Sequence, residues 1–414
     1  MEDRTEIKEQ ITEEKQGSRN ASFLKGALTG ALVVLIIVAI AGTVGYKTLF
    51  HGSGADANEA ILSSATETKL NFIRELMNQK YLYDIDDSDL QDGIYEGYVN
   101  GLNDPYSVYY NEEATKELLE TTSGQYQGIG AVMTQDQTTH YLMVMNVYQG
   151  SPAEKAGLLE GDIIYQVDDK KINKEDSTEV VSWIRGEAGT DVTIHVYRGE
   201  SLDEVDIIAT RAVVDSQTVE YELKDDGVGY LRVSEFDTVT YDQFAAALTE
   251  LENQGAKGLI IDLRSNPGGD VETTCKMLRL LLPEGMIVYT EDKNGEKAEY
   301  TCDQASGFNL PLEILVDGNS ASASEIFAGA IQDYGIGDIV GTTTYGKGIV
   351  QNLYDLMDGT YLKITTAEYF TPNGRTINKI GLEPDVEVKY EYNEADPTVD
   401  NQLEKAMEVI REKL

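Results

Sequence analysis

Apolar strands and amphipathic helices alternate along the chain from about residue 213, and this alternation limits the fold more than any other feature. The apolar runs are "GVGYLRVSEF", "GLIIDLRS" and "LEILVDG", and the helical segments are "DQFAAALTELENQ", "CKMLRLLL" and "SEIFAGAIQDYG". Short apolar runs that alternate with helices are typical of a parallel sheet with helices packed on its faces. The sequence therefore predicts an α/β core over residues 206–392.

Regions of a different character flank this core. Residues 59–122 have apolar positions three and four apart, which predict helices, and the breaker "NDPYS" divides two of them. Residues 123–205 contain strand-like runs and one short helix, "DSTEVVSWIRG", which together predict a β-domain. Residues 47–58 read as a linker, and residues 393–414 as an amphipathic C-terminal helix.

Residues 26–46 form an apolar run of 21 positions without a charge, about the length that crosses a bilayer. The nearby basic residues lie mostly on its N-terminal side: Lys15, Arg19 and Lys25 before it, and Lys47 after it. This imbalance predicts a single-pass anchor in the cell membrane, with residues 1–25 in the cytoplasm and the body of the protein outside. A cleaved signal peptide is the alternative, because "AIA" at 39–41 resembles a cleavage site.

The composition argues against several classes of function. The chain has 73 acidic and 33 basic residues, a formal net charge of -40, so it should repel nucleic acid. It has no H-E-x-x-H motif, no Cys/His ligand cluster and no Walker A loop, so neither a metal nor another cofactor is expected. Its two cysteines, Cys275 and Cys302, are too few for a disulfide framework, and either one disulfide or two buried thiols is compatible with the sequence.

Three serines alternate with alanines in "GNSASASEIFAGAI", which covers residues 318–331. Ser322 and Glu325 fit S-x-x-E, a capping box that begins many ordinary helices. The alternative is that Ser320, Ser322 or Ser324 is a nucleophile, which would need a group to take its proton.

The histidines do not supply that group. His51, His140 and His195 all lie outside the α/β region, which disfavours a Ser-His-Asp triad. A lysine can replace histidine if burial lowers its pKa. The candidate is Lys347 in "TTTYGKGIVQ", although a solvated loop lysine would have the same sequence.

Two further features bear on acyl transfer. The stretch "LRSNPGGD" at 263–270 follows an apolar strand and predicts a tight turn with exposed amides, either an oxyanion hole or a plain strand-to-helix turn. Asp333 comes eleven residues after Ser322. In an unbroken helix it would lie about three turns, or roughly 16 Å, away, which favours a helix-surface carboxylate.

Taken together, these segments resemble the carboxyl-terminal processing peptidases, the tail-specific serine proteases of the S41 class. The resemblance extends from about residue 60 to the end of the chain. Its motifs are "GLNDPYSVY", "GIGAVM…GSPAEKAGLLEGDIIYQVDD", "IIDLRSNPGGD", "NSASASEIFAGAIQDYG", "GTTTYGKGIVQ", "YFTPNGRTI" and "GLEPDV". It implies a PDZ-like β-domain, a peptidase core related to crotonase and Clp-protease folds, and a homodimer.

The resemblance also implies roles for individual residues. Ser322 would be the nucleophile, Lys347 the base and Gln351 the residue that orients the lysine, while Gly269 and Ala323 would supply the oxyanion amides. Some members of the family also have an aspartate in a charge-relay role, which corresponds to Asp333. In a straight strand Gln351 would lie about 13 Å from Lys347, so their contact requires a bend, expected at Gly348.

The PDZ-like stretch implies that substrates are selected by their C-terminal residues. Such domains add a peptide to a sheet edge and hold its carboxylate in a loop of amides. The expected peptide-binding residues are Gly128, Ile129, Gly130 and Ala131 in the loop, and Val180, Val181 and Ile184 on the helix. We therefore expect a membrane-anchored serine endopeptidase that acts on protein substrates outside the cytoplasm. An inactive PDZ scaffold, or an esterase or acyltransferase at the same site, is the alternative.

Overall fold

The computed structural model describes residues 63–396 and 398–414. The predicted cytoplasmic segment, anchor and linker, residues 1–58, lie outside this range. Among the described residues, none of the helices combines the length and the apolar character needed to span a bilayer.

The predicted helical region contains three helices and one short strand: α1 (Ser64–Lys80), α2 (Asp87–Asn100), β1 (Val108–Tyr110) and α3 (Glu112–Ser123). Asn111 begins α3, because its side chain accepts a hydrogen bond from the Ala114 N–H at 2.9 Å. Gly124 ends the helix in the left-handed conformation, with φ of 70°. The helices predicted from apolar spacing are confirmed.

The PDZ-like domain contains eight strands and two helices: β2 (Gln125–Gly128), β3 (Ala131–Gln135), β4 (Leu142–Val147), α4 (Pro152–Ala156), β5 (Ile163–Val167), β6 (Lys170–Lys171), α5 (Ser177–Ile184), β7 (Asp191–Arg198), β8 (Asp203–Thr210) and β9 (Ala212–Asp215). One sheet has the order β3-β4-β5-β7-β8, with β6 paired to β5, while β2 pairs with β9. β3 is therefore an edge strand. The predicted domain boundary at 205 falls within β8.

The α/β core is built on a six-stranded sheet of order β10-β11-β12-β15-β16-β19. Its strands are β10 (Val219–Leu223), β11 (Val228–Val233), β12 (Gly258–Asp262), β15 (Leu312–Val316), β16 (Asp338–Gly341) and β19 (Val386–Glu387). β10 and β11 are antiparallel, and the other pairs are parallel. Every residue of β12 and β15 is buried, as expected for parallel strands covered on both faces.

Helices cover both faces of this sheet. One face packs against α6 (Thr240–Asn253), α7 (Val271–Leu278) and α8 (Ala323–Tyr334), through side chains such as Phe244 and Phe327. The other face packs against α9 (Asn401–Arg411), which buries Ile410 against Ile260 and Leu315. The predicted α/β core and the amphipathic C-terminal helix are both confirmed.

Asp400 and Lys413 anchor the two ends of α9 to the sheet. Asp400 begins the helix and pairs with Arg264 at 2.7 Å, just beyond the end of β12. Lys413 Nζ lies 2.7 Å from the buried carboxylate of Glu313 in the middle of the sheet. Burial raises the pKa of Glu313 to about 7.

A second sheet has the order β1-β18-β13-β14, with β17 paired to β18. Its remaining strands are β13 (Gly285–Asp292), β14 (Lys297–Cys302), β17 (Ile349–Asp355) and β18 (Tyr361–Phe370). Cys302 ends β14, and Cys275 lies in α7; both are buried free thiols. Of the two states open from the sequence, the structure has the pair of buried thiols.

Candidate active site

Two loops meet at the carboxyl end of the parallel sheet, where ligands commonly bind in open α/β folds. The loop after β12 covers residues 263–270, and the loop after β15 leads into α8. Asn266 joins them, because its main-chain oxygen accepts hydrogen bonds from the Ala321 N–H and the Ser324 hydroxyl, both at 3.0 Å. The turn predicted to expose amides therefore lies directly against the serine segment.

Ser322 lies at the N-cap of α8 in a strained backbone conformation, with φ of 54° and ψ of −113°. Few residues with a side chain adopt this conformation, and it persists only where the surroundings enforce it. A sharp strand-to-helix turn exposes the nucleophilic serine of α/β-hydrolases. The capping-box prediction holds for Glu325, whose Oε2 accepts the Ser322 N–H at 2.9 Å.

The two glycines of the turn allow its close approach to Ser322. A Cβ on Gly268 would lie 2.9 Å from the Ser322 Cβ, and a Cβ on Gly269 would lie 2.4 Å from the Phe236 carbonyl oxygen. Both glycines have positive φ, 108° and 147°. Within the described part of the chain, the amides of Gly269 and Ala323 donate to no protein acceptor. Two N–H groups are thus free on the segments that surround the Ser322 side chain.

Lys347 lies in the loop before β17, and its amine rests on an aromatic face. Its Nζ is 4.7 Å from the centre of the Tyr106 ring. Burial lowers the pKa of Lys347, and the nearby charge of Lys363 lowers it further, while Glu325 and Asp104 act in the opposite direction. No hydrogen bond joins Nζ to the Ser322 hydroxyl among the contacts of the described residues.

Glu325 connects the Ser322 and Lys347 segments. Its carboxylate is fully buried and accepts four hydrogen bonds. The donors are the Ser322 N–H at 2.9 Å, the Thr344 hydroxyl at 2.5 Å, the Gly346 N–H at 2.8 Å and the Lys347 N–H at 2.9 Å. Each carboxylate oxygen accepts two of these hydrogen bonds, so neither buried acceptor is left without a partner. Glu325 fixes the backbone of Lys347 relative to that of Ser322.

Tyr369 makes a second connection between the same two segments. Its hydroxyl lies 3.1 Å from the Ser322 carbonyl oxygen and 2.6 Å from that of Lys347. Burial raises the pKa of Tyr369 well above its usual value, so it stays protonated and can donate. Tyr369 thus joins the same two segments that Glu325 joins.

Ser320 and Ser324 have structural contacts. The Ser320 hydroxyl donates to the Leu263 carbonyl oxygen at 2.8 Å, and the Ser324 hydroxyl donates to that of Asn266 at 3.0 Å. Both side chains are fully buried. Ser322 is the partly exposed serine of the three.

The structure places Gln351 and Asp333 with other partners. Gln351 donates to the Thr365 hydroxyl at 3.2 Å, and the irregularity in its strand falls between Val350 and Gln351 rather than at Gly348. Asp333 pairs with Arg375 at 2.5 Å and accepts the Asn373 N–H at 2.8 Å. Asp333 thus fastens the loop after β18 to the end of α8, and the structure does not bring it to Ser322 or Lys347.

Sequence reasoning missed the contribution of the "NDPYS" segment to the site. There the segment served as a helix breaker and as part of a family motif, with no role at the site, yet its Tyr106 covers the Lys347 amine. Asp104 shapes the turn by accepting the Tyr106 N–H at 3.1 Å and the Ser107 hydroxyl at 2.6 Å. The sequence feature that could have indicated this contact is the aromatic residue directly after Asp-Pro.

The expected peptide groove lies between α5 and the edge strand β3. A cavity of about 100 Å³ opens there, lined by Tyr126, Gly128, Ile129, Ala131, Met133, Val181, Ile184 and Arg185. Gly130, with φ of 80°, supports the loop without lining this cavity. Val180 differs from the expectation, because it is fully buried in the domain core. An open sheet edge beside a helix is the geometry that binds an added peptide strand.

Comparison with known proteins identifies the family. Residues 227–388 match the family model of peptidase family S41, residues 126–208 that of a PDZ domain, and residues 44–114 that of the activating protease CtpB N-terminal domain. The carboxy-terminal processing protease CtpA of Bacillus subtilis is 33% identical over 382 residues, which cover 91% of this chain and 81% of CtpA. The chain belongs to peptidase family S41. It is a serine peptidase with a PDZ domain, and the predicted family and enzyme class are confirmed.

A second relative agrees with this assignment, and one solved structure is similar to this chain. The carboxy-terminal processing protease CtpB of Bacillus subtilis is 33% identical over 334 residues, which cover 80% of this chain and 69% of CtpB. Among solved structures, the photosystem II D1 C-terminal processing protease is 29% identical, with a TM-score of 0.46. The match covers 84% of this chain and 91% of that protein.

The contacts of Glu325 lead to a prediction about stability. In Glu325→Gln, an amide NH2 group replaces a carboxylate oxygen that accepts two hydrogen bonds. At least two buried donors therefore lose their acceptor. We expect the free energy of unfolding to fall by about 3 kcal/mol, measured by urea denaturation. Glu284→Gln, the same change at an exposed carboxylate, should have an effect within about 0.5 kcal/mol. Equal effects of the two substitutions would show that the Glu325 contacts add little stability.

Proposed function

We propose that this S41 peptidase is an endopeptidase in which Ser322 attacks the peptide bond and Lys347 takes its proton. The observation that carries the proposal is the shared attachment of both residues to the buried Glu325 carboxylate. Through it, a strained, partly exposed serine and a lysine with a lowered pKa are attached by their backbones to one buried side chain. A serine needs such a base, and a partly desolvated lysine can act as one near neutral pH.

The reaction follows from these roles. The neutral Lys347 amine accepts the proton of the Ser322 hydroxyl while Oγ attacks the carbonyl carbon, and the carbonyl oxygen becomes negatively charged. The free amides of Gly269 and Ala323 would stabilise that oxyanion, at the N-terminus of α8. The Lys347 ammonium then gives its proton to the leaving amine. Water, deprotonated by Lys347, hydrolyses the acyl-enzyme and restores Ser322.

The position of the Lys347 amine represents a resting arrangement in this proposal. The face of the Tyr106 ring favours the ammonium form, so the amine must leave the ring and approach Ser322 before it acts as a base. Gln351, four residues further on, is proposed to hold the amine in that second position. Its bond to Thr365 engages the amide nitrogen, which leaves the amide oxygen as the acceptor for Lys347.

We further propose that the PDZ domain selects substrates by their C-terminal residues. The carboxylate would lie at the loop of Gly128 to Ala131, and the last side chain in the small cavity beside Val181. Pairing with β3 would extend the sheet by one strand. The names of the CtpA and CtpB relatives describe carboxy-terminal processing.

Residues 26–46 are proposed to anchor the peptidase in the cell membrane, with its body outside the cytoplasm. The support is the charge-free run of 21 residues and the basic residues that precede it.

A homodimer is also proposed, from the family resemblance. The described helix α1 offers exposed apolar side chains that a second copy could cover, namely Phe72, Ile73 and Leu76.

The first prediction of the proposal concerns the pair of Ser322 and Lys347. Ser322→Ala, Lys347→Ala and Lys347→Arg should each lower kcat/KM by at least about 10³-fold, since attack needs both groups and a guanidinium keeps its proton. The Ser322→Ala/Lys347→Ala double variant should be no worse than either single variant. Ser320→Ala and Ser324→Ala should lower stability but retain turnover, measured by cleavage of an unstructured protein. Turnover in Ser322→Ala would refute the assignment.

The second prediction concerns pH. Because the pKa of Lys347 is lowered, kcat/KM should rise with pH along an ionisation below that of a free lysine amine. Lys363→Met removes a positive charge that lowers this pKa, so the rise should move to higher pH. Lys276→Met, at an exposed position in α7, should leave the profile in place. A profile unaffected by Lys363→Met would argue against Lys347 as the titrating base.

The third prediction concerns the substrate tail. Amidation of the C-terminus should lower kcat/KM roughly tenfold, about 1.4 kcal/mol, compared with the same peptide as a free acid ending in an apolar residue. Val181→Asp, which puts a negative charge into the groove, should reduce this preference. Thr178→Asp places the same charge on an exposed position of the same helix and should preserve it. Equal cleavage of acid and amide by the wild type would leave the PDZ domain without a role in reading the terminus.

A further inference from the structure

An acidic cavity of about 330 Å³ lies beside the catalytic turn. Its charged lining consists of Glu117 and Glu120 from α3, Glu235 and Asp237 from the segment after β11, and Arg185 from the PDZ domain. Four carboxyl groups therefore face one guanidinium group. The cavity has a strong preference for positive charge.

Asp237 has no partner in this cavity. Its side chain lines the cavity although the residue is only 7% exposed. Its N–H donates to the Thr240 hydroxyl at 3.0 Å, but none of the described residues donates a hydrogen bond to its carboxylate. Buried carboxylates are almost always paired, because burial without a partner is costly. An unpaired one that lines a cavity indicates that its partner comes from outside.

Arg185 does not supply the missing partner. Its guanidinium lies over the Tyr126 ring at 5.0 Å, and its nearest carboxylate is that of Glu120, at 3.8 Å. These contacts hold Arg185 at the PDZ side of the cavity. Burial, and then the negative charge of Glu235, raise the pKa of Asp237 to about 7. The Asp237 carboxylate therefore has no positively charged partner among the described residues.

The cavity is connected directly to the catalytic turn. Phe236, between Glu235 and Asp237, pairs with Gly269: its N–H donates to the Gly268 carbonyl oxygen at 3.0 Å, and its own oxygen accepts the Asp270 N–H at 2.7 Å. The Phe236 side chain is fully buried in the core. Side chains alternate along extended backbone, so Glu235 and Asp237 point the other way, into the cavity. The two acidic residues thus flank Phe236, the residue that supports the proposed oxyanion turn.

We propose that Glu235 and Asp237 form a substrate subsite that binds the charged group of a lysine or arginine in the peptide that is cut. This inference rests on the proposed endopeptidase function and names a substrate class for it. A long side chain with a terminal cation can reach the Asp237 carboxylate while its stem fills the cavity. A metal ion fits less well, because no cluster of three or more potential ligands with metal-binding geometry occurs among the described residues. A bound cation would compensate the otherwise unpaired carboxylate.

The test is a lysine scan of an unstructured peptide with a free apolar C-terminus. Lysine or norleucine, which has a similar stem without the charge, is placed at each position in turn, and the ratio of the two kcat/KM values is measured. At one position near the cleaved bond we expect the wild type to favour lysine about tenfold. Asp237→Asn should reduce that ratio to about two or less, and Asp237→Glu should restore most of it. Asp242→Asn, the same change at an exposed carboxylate in α6, should keep the wild-type ratio.

The pH dependence of the ratio provides an independent measurement. With a pKa of about 7, Asp237 is largely neutral at pH 6 and largely charged at pH 8, while the substrate lysine stays charged throughout. The other titratable groups that line the cavity are Glu235, Glu117, Glu120, Arg185 and Tyr126. The lysine preference should therefore increase from pH 6 to pH 8. The titration of Lys347 changes the kcat/KM values of both peptides by the same factor, so it does not change their ratio.

Binding separates a failure of this inference from a failure of the proposed peptidase mechanism. With the Ser322→Ala variant, the lysine peptide should bind several-fold more tightly than the norleucine peptide, measured by fluorescence anisotropy, and Asp237→Asn in the same background should remove the difference. Equal binding of the two peptides overturns the subsite, whatever the variants do to cleavage. A lysine preference that survives Asp237→Asn also overturns it.

Discussion

The carboxylate of Glu325 is the interaction on which the geometry of the site depends. This buried carboxylate accepts four hydrogen bonds, one from the segment of Ser322 and three from the loop of Lys347. Neither segment has regular secondary structure at the reacting residue, so neither could hold its position by a helix or strand ladder. The strained backbone of Ser322 is tolerated because this network and the contacts of Asn266 enforce it from both sides. Rigid backbone support for both residues is the arrangement that results.

Much of the fold followed from the sequence because its signals are local. The buried strands β12 and β15 appear as short, mainly apolar runs, and α9 shows the apolar spacing of an amphipathic helix. The serine segment was recognised in the same way, since the strand-to-helix position and the S-x-x-E pattern are both read within a few residues, whereas the choice of Ser322 among its three serines came from the family resemblance. The positions of the histidines alone also disfavoured a Ser-His-Asp triad.

The remaining features of the site depend on contacts between distant parts of the chain. Tyr106 covers Lys347 from 241 positions earlier in the sequence, and no local pattern indicates that contact. The sequence gives Glu325 one local partner, Ser322, whereas its other three donors lie 19 to 22 residues further on. The missing partner of Asp237 is likewise a property of the folded molecule, because an unpaired carboxylate can be recognised only after its neighbours are placed. The PDZ residue Val180 was misplaced because helix phase relative to the groove is set by packing.

The pairing of Arg264 with Asp400 has a consequence for the order in which the enzyme is completed. These residues are 136 positions apart, and ribosomes make proteins from the N-terminus. During synthesis, the turn at 263–270 therefore emerges long before the helix that covers the outer face of its sheet. Until α9 follows, Ile260 and Leu315 are exposed on that face and Arg264 lacks the Asp400 carboxylate. A nascent chain thus carries all of the proposed catalytic residues before it has the helix that holds their turn in place. The site is therefore completed only when α9 has been synthesised and has packed against the sheet.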